Sequence, residues 1–264
     1  MSIIGSAFLP HTPLLLPTTD PAHAKRVQSL RKAVEEVVAW AYAAQPDVVV
    51  CFNPHAPSVG NQFTFNLAEQ YTASFDEFGD LTTKVALLGT PTFAYNMKEN
   101  LEALLPVASV IEPRVNYGLG IPAIFFQQRM PQLPWVEIST RRTTPVENLA
   151  FGARMQEVLL NSRKRILLLA TGEVSARLTD AAPQGKSPEA AHFRKHWLET
   201  LHHNALQDFL KTVPAAQAEE VASCGTWSVA QILGALVSIR THVKVLYDEA
   251  PYGVAHAVAT WQPA

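Results

Sequence analysis

Two histidines in this sequence stand directly after apolar runs and are braced by prolines. "IIGSAFLPHTPLLLP" leads into His11 between Pro10 and Pro13, and "VVVCFNPHAPSVG" leads into His55 between Pro54 and Pro57. A late segment, "VKVLYDEAPYG", carries Glu249 at a comparable place, just past another strand-like run. Two imidazoles and one carboxylate are the set that holds non-haem Fe(II) with coordination positions left open for substrate and dioxygen, and the same set suits Zn²⁺. Flanking prolines would limit backbone wandering and hold the imidazoles ready for a metal. The plainer alternative is that both histidines are solvated loop residues and that Asp248 and Glu249 cap a strand end. Pattern alone leaves the two readings open.

Other reactive side chains carry less. His192, His196, His202 and His203 fall on one long helical stretch, and His192 and His196 share a face by i,i+4 spacing; without an HExxH context they read as solvated surface. Cys51 and Cys224 are far apart with no CxxC, so neither a disulfide framework nor a structural zinc site is expected, and Cys51 on its apolar run reads as core. Gly118 and Gly120 are only a fragment of a dinucleotide loop, with Pro122 where a helix should start. Ser175 lies in no GxSxG elbow, which leaves a serine hydrolase unsupported.

The elements that must position these groups alternate. Strands are expected over residues 3–9, 47–52, 63–67, 84–88, 107–111, 121–126, 135–139, 165–171, 242–248 and 253–261. Helices are expected from Asp20 and Pro21, with Val27, Leu30, Val34, Val37 and Val38 at helical spacing, and over 92–105, 146–162, 188–212, 214–222 and 227–239. Several strands are unbroken apolar runs, as in a sheet covered on both faces, so the fold expected over 1–264 is a single three-layer αβα domain with a mixed central sheet. In such sheets functional groups collect where strands end at their carboxyl edge. The segment 179–191, rich in Ala, Pro, Gly and Ser, is either a lid or a surface loop.

Composition narrows the partners. With 264 residues, 48% hydrophobic and 17% charged, the chain can bury a substantial core. The net charge of -2 and the scattered Lys and Arg offer no basic stripe for nucleic acid or anionic lipid, so a small-molecule partner is expected. No run is long enough to span a bilayer and no targeting signal is visible; a reducing cytoplasm fits the cysteine usage.

Five segments in order, "FLPHTPLLLP", "NPHAPSVGNQFTFN", "LATGEVSARL", "CGTWSVAQILGAL" and "YDEAPYGVAHAVA", resemble the LigB-like superfamily of class III extradiol ring-cleaving dioxygenases and their relatives. The resemblance covers most of the chain. It implies an αβα fold, a mononuclear Fe(II) (with zinc as the alternative), the metal ligands His11, His55 and Glu249, and a catecholic or related aromatic substrate cleaved with O₂. It also implies, by analogy, a homodimer. Two positions depart from the family pattern: Ala176 stands where a pocket histidine is common, and Asn116-Tyr117-Gly118 stands where Asp-His-Gly is common. Tyr117 and His256 are the candidates to replace the missing acid and base, a group typically worth about 10²- to 10⁴-fold in rate. The alternative is a non-catalytic or divergent metal-binding relative that serves as a subunit or binding module; a zinc hydrolase is a third class.

Overall fold

A computed structural model describes residues 2–264. The chain opens with β1 (Ile3–Leu9), α1 (Pro21–Arg26), α2 (Gln28–Ala44) and β2 (Val48–Asn53). It continues through β3 (Phe63–Asn66), β4 (Gln70–Phe75), β5 (Asp80–Gly89), α3 (Pro91–Glu99), β6 (Val107–Val110), α4 (Tyr117–Arg129) and β7 (Pro134–Ser139). Then follow α5 (Pro145–Leu160), β8 (Ile166–Thr171), α6 (Ala190–His202), α7 (Leu206–Thr212), α8 (Ala215–Glu220), α9 (Gly225–Ala235), β9 (Thr241–Tyr247) and β10 (Val258–Pro263).

All the strands join one mixed sheet whose main path is β4-β5-β7-β2-β8-β1-β10-β9, with β3 and β6 paired to each other beside β7. The neighbours β7, β2, β8 and β1 are parallel, whereas β10 runs antiparallel to β1 and β9 antiparallel to β10. Period-two alternation divides each central strand between two cores. Val48, Val50 and Phe52, with Ile166, Leu168 and Ala170, face the layer built from α3, α5, α6, α7 and α9. Val49 and Cys51, with Leu167 and Leu169, face α2 and α4. Both faces are covered, which is why these strands read as continuous apolar runs and why the expected three-layer αβα arrangement is the one found.

The differences from the expected elements have local causes. Residues 121–126, "IPAIFF", lie inside helix α4 and not in a strand. Asn116 caps that helix by accepting from the Gly118 N–H at 2.8 Å, and Gly118 through Phe126 are all buried, so no polar face marks a 3.6-residue period. The edge strand β4 escapes notice because its short stretch "QYTASF" alternates exposed and buried with few large apolar residues. The long helix expected over 188–212 breaks at Asn204, which takes a left-handed φ of 56°. Residues 253–257 precede β10: Gly253 ends a 3-10 turn, Pro251–Gly253, in which Tyr252 and Gly253 take positive φ, and Ala255 makes a single bridge to Ser175.

Helices α5 and α9 pack closely where glycines face backbone. A Cβ on Gly234 would fall 2.1 Å from the Leu149 carbonyl oxygen, and one on Gly152 would fall 2.1 Å from that of Gln231. Gln156 adds a bond from its side-chain amide to the Ala235 carbonyl at 2.8 Å. Gly234→Ala should therefore destabilise the protein. Overpacking costs roughly 1–3 kcal/mol, against about 1 kcal/mol of improved helix propensity. Urea unfolding should show a lowered midpoint, and a raised midpoint would contradict this contact.

Candidate functional site

Three adjacent parallel strands, β2, β8 and β1, end at the same edge of the sheet, and the residues just beyond them meet in one cavity. β1 delivers His11, β2 delivers His55 and β8 delivers Glu173. The start of α9 reaches the same edge and supplies Cys224. Gly172, at φ 157°, lies so close to Gly225 that a Cβ would sit 2.3 Å from its Cα, and the Gly225 N–H donates to the Glu173 carbonyl at 3.0 Å. The cavity measures about 540 Å³ and is walled by Phe78, Tyr117, Arg142 and Trp227.

His11, His55 and Cys224 each place one ligating atom within 4.8 Å of the others. The His11 and His55 ring centroids are 4.9 Å apart, and His11 Nε2 lies 3.6 Å from the Cys224 Sγ. Glu173 stands beside them with Oε1 3.9 Å from His11 Nε2, while its Oε2 accepts from His256 Nδ1 at 2.8 Å. The Tyr117 hydroxyl is 3.3 Å from His55 Nε2.

The main chain around His55 is clamped from a buried carboxylate. Glu137, on β7 and fully buried, accepts from the Asn53 Nδ2 at 2.7 Å and the Asn66 Nδ2 at 3.0 Å. Burial pushes its carboxyl up, opposed by those two bonds. Asn53 then uses its Oδ1 to accept the His55 N–H at 3.0 Å, and Asn116 donates to the His55 carbonyl. Asn116 thus holds His55 and caps the helix that begins with Tyr117, so one network sets the separation of the two rings.

Burial dominates the protonation of the cluster. It lowers His55 to about 3, aided by the neighbouring His11, and it lowers His11 against the attraction of Glu173. Both imidazoles are therefore neutral and free to act as ligands at neutral pH. Burial, reinforced by Glu173, raises the Cys224 thiol to about 12, and burial raises Tyr117 to about 12. Burial opposes ionisation of Glu173, but the charge and hydrogen bond of His256, with His11 and His55, hold it below the usual carboxylate range.

A metal fits this donor set. His11 Nε2 faces the Cys224 Sγ at 3.6 Å, and each of His11, His55 and Cys224 offers one donor atom within 4.8 Å of the others. Two imidazoles and a thiolate are soft enough for zinc, copper or iron, and three protein ligands leave a position open.

The structure brings together His11, His55 and Tyr117 and leaves Glu249 apart. Glu249 follows β9, which runs in the same direction as β1 but is separated from it by β10, a lateral offset of about 10 Å at roughly 4.8 Å per strand. It is exposed and outside the cavity, where its backbone carbonyl accepts from the His256 N–H at 2.9 Å. The carboxylate next to the histidines is Glu173. His256 is fully buried and reaches the cluster through Glu173 without lining the cavity. Ala176 does line it, as do Pro183 and Gln184 from the 179–191 segment. His192 is exposed and His196 partly so, their rings 4.1 Å apart and remote from these groups. Glu173 and Cys224 were legible only as parts of "LATGEVSARL" and "CGTWSVAQILGAL"; the signal for Glu173 was a polar residue just past a fully apolar strand, as at His55.

Two known proteins resemble this chain, one in sequence and one in fold. The chain is 20% identical over 268 residues to the protein named CA_C1420 of Clostridium acetobutylicum, an alignment that takes in 98% of this chain and 57% of that protein, so the chain spans a little over half its relative's length. The crystal structure of an uncharacterized protein, JW3007 of Escherichia coli K12, superposes with a TM-score of 0.70 over 98% of this chain and 99% of that one at 15% identity, a likeness of fold. Residues 5–259 match the family model described as the catalytic LigB subunit of aromatic ring-opening dioxygenase, and with its three-layer sheet and strand-end histidines this chain belongs to that family.

Proposed function

We infer that the protein is a divergent metal-binding member of the ring-opening dioxygenase family, its metal held by His11, His55 and Cys224, with a small aromatic molecule as the ligand of the cavity. The observation that supports this over an Fe(II) dioxygenase of the two-histidine, one-carboxylate type is the third donor. The thiol of Cys224 lies within 4.8 Å of a ring nitrogen of each histidine, whereas the nearby carboxylate, Glu173, is outside that trio and has its Oε2 engaged by His256. A divalent metal bound there supplies Lewis acidity and an open coordination position.

The protein's own groups supply the rest. Tyr117, held as a neutral phenol beside His55, offers a hydrogen-bond donor to a ligand oxygen. His256 donates to Glu173 and thereby keeps that carboxylate ionised and oriented towards His11. Phe78, Tyr117 and Trp227 give the walls aromatic surface. Those same two proton-handling groups favour a second reading, in which the protein cleaves a catecholic ring with O₂ on Fe(II), Tyr117 and the Glu173–His256 pair standing in for the histidines absent at 117 and 176. An assembly of two copies is proposed on family analogy alone. No helix among the described residues is long and apolar enough to cross a membrane.

Anaerobic purification followed by metal analysis should give about one equivalent of metal per chain. Cys224→Ala and His55→Ala should each lower metal affinity sharply, and Glu249→Ala should leave it unchanged. Loss of metal in the Glu249 variant with retention in the Cys224 variant would reverse the ligand assignment. A panel of catechols offered under oxygen to protein loaded with Fe(II) separates the two readings, since ring cleavage yields a coloured product.

Binding should also release a proton. The free thiol at Cys224 stays protonated to about pH 12, while a metal-bound cysteine is a thiolate, and His55, titrating near 3, has no proton to lose at neutral pH. Affinity should therefore rise about ten-fold per pH unit between roughly pH 6 and 8. Calorimetry in buffers of different ionisation enthalpy reads the proton directly, and the slope should vanish in Cys224→Ala. Asn53→Ala, which unties His55 from Glu137, should weaken metal binding by about 10- to 100-fold with the ligands intact.

A further inference from the structure

Outside the cavity, one other pair of histidine rings lies in contact among the described residues. His192 and His196 sit one turn apart on α6, with ring centroids 4.1 Å apart and planes at 63°. Side chains four apart on a helix lie one above the other, so the two imidazoles share one outward face. The opposite face anchors the helix, since Phe193, Trp197, Leu198 and Leu201 are buried in the core. His196 Nδ1 donates to the His192 backbone carbonyl, 3.1 Å away, which fixes the tautomer and leaves the Nε2 lone pair free. Metal-ligating histidines are commonly held by such a bond. The other exposed histidines differ: His23 meets the Tyr252 hydroxyl at 2.6 Å, His202 meets Asp248 at 2.7 Å, and His203 and His242 have no second imidazole in contact among the described residues.

We propose that His192 and His196 form a second metal site, on the surface of α6, that takes a divalent ion of the zinc, nickel and copper class through one nitrogen of each ring. Imidazole suits these ions, and water completes their coordination. Glu189, three residues before His192, and Glu199, three after His196, are exposed on the same side of the helix and favour a cation there. Lys195 is the opposing charge. Its Nζ lies 3.9 Å from Glu199 Oε1 with both side chains more than half exposed, a pair worth little in water. Because the backbone of α6 is already ordered by its buried face, chelation restrains only two short side chains. With two protein donors the site exchanges its ion with solvent and empties on desalting. The proposal does not depend on which residues hold metal in the cavity.

The test titrates the whole chain, metal-loaded and then desalted, with zinc, nickel or copper chloride in a calorimeter. About one further equivalent per chain should bind, copper more tightly than nickel or zinc, the order expected of an open nitrogen-donor site. In NMR spectra of the histidine rings, zinc should shift the signals of His192 and His196 and leave those of His202, His203 and His242 in place. His192→Asn and His196→Asn should each lower the affinity by about 10²-fold or more, because a lone imidazole lacks the second contact of the chelate. Both side chains reach the surface, so the variants should unfold in urea at the wild-type midpoint. His203→Asn and His242→Asn should leave the uptake unchanged. No further uptake with the metals in large excess, uptake that survives His192→Asn or His196→Asn, or an equal loss in His203→Asn or His242→Asn would each overturn the proposal.

Cys224→Ala separates this site from the cavity. If that variant loses the tight equivalent and keeps the one that depends on His192 and His196, both assignments stand. If it keeps both equivalents, or if the only equivalent found depends on His192 and His196, the surface site stands and the cavity assignment falls. If the tight equivalent depends on Cys224 and no uptake depends on His192 and His196, the surface site falls alone.

Discussion

The site depends on the side-by-side pairing of β2, β8 and β1, which makes the residues after three separate strands neighbours. Parallel pairing in register brings Thr171 opposite Leu9 and Ala170 opposite Phe52, so the chain leaves all three strands at nearly the same height. The apolar side chains on both faces of these strands keep the ladder dry and the register unique, because a slip of one residue would turn each core set to the wrong face. Loops that leave from a rigid edge can place side chains to within a fraction of an ångström, which a metal or chelating ligand demands.

Burial then determines which chemical forms exist there. An isolated charge in such a place is costly, and each ionisable group in the cluster meets that cost differently. His11 and His55 stay neutral, Cys224 stays a thiol, and Glu173 remains ionised because His256 answers it from the protein side. The cavity therefore presents two neutral imidazoles, an ionised carboxylate and a thiol. Glu137 shows the opposite arrangement, a carboxyl group deep in the sheet with amide donors on both oxygens, whose role is to hold Asn53 and through it His55. One buried carboxyl group serves position, and the other serves charge.

Ala176 and Tyr117 now have surroundings. Ala176 borders the cavity with a methyl group, and Tyr117 stands on the first turn of α4 with its ring 5.0 Å from that of His55 and 5.3 Å from that of Phe78. The exchange of two imidazoles for a methyl and a phenol leaves a cavity rich in apolar wall and poor in groups that titrate near neutrality. Such a lining suits selective binding of a ring as well as it suits catalysis, and this is why the donor set, more than the wall, guides the functional reading.

The amino-acid sequence by itself determined the layered fold and the placing of His11 and His55 at strand ends. Unbroken apolar runs require a sheet covered on both faces, and a histidine between prolines just past such a run must fall at a strand end. Which further groups join the two histidines was decided by tertiary structure. Glu249 and Glu173 are each acidic residues just beyond apolar strands, and nothing local distinguishes them; strand order does, because β8 lies between β2 and β1 while β9 lies beyond β10. Cys224 was hidden for the same reason, since its approach to His11 depends on where α9 begins against Gly172. Helix α4 was hidden because a segment buried on every side shows no polar face from which to read a period. Hydrophobic pattern reports whether a residue is inside, whereas the lateral order of strands arises from pairings between segments far apart in the chain, and on that order the identity of the site depends.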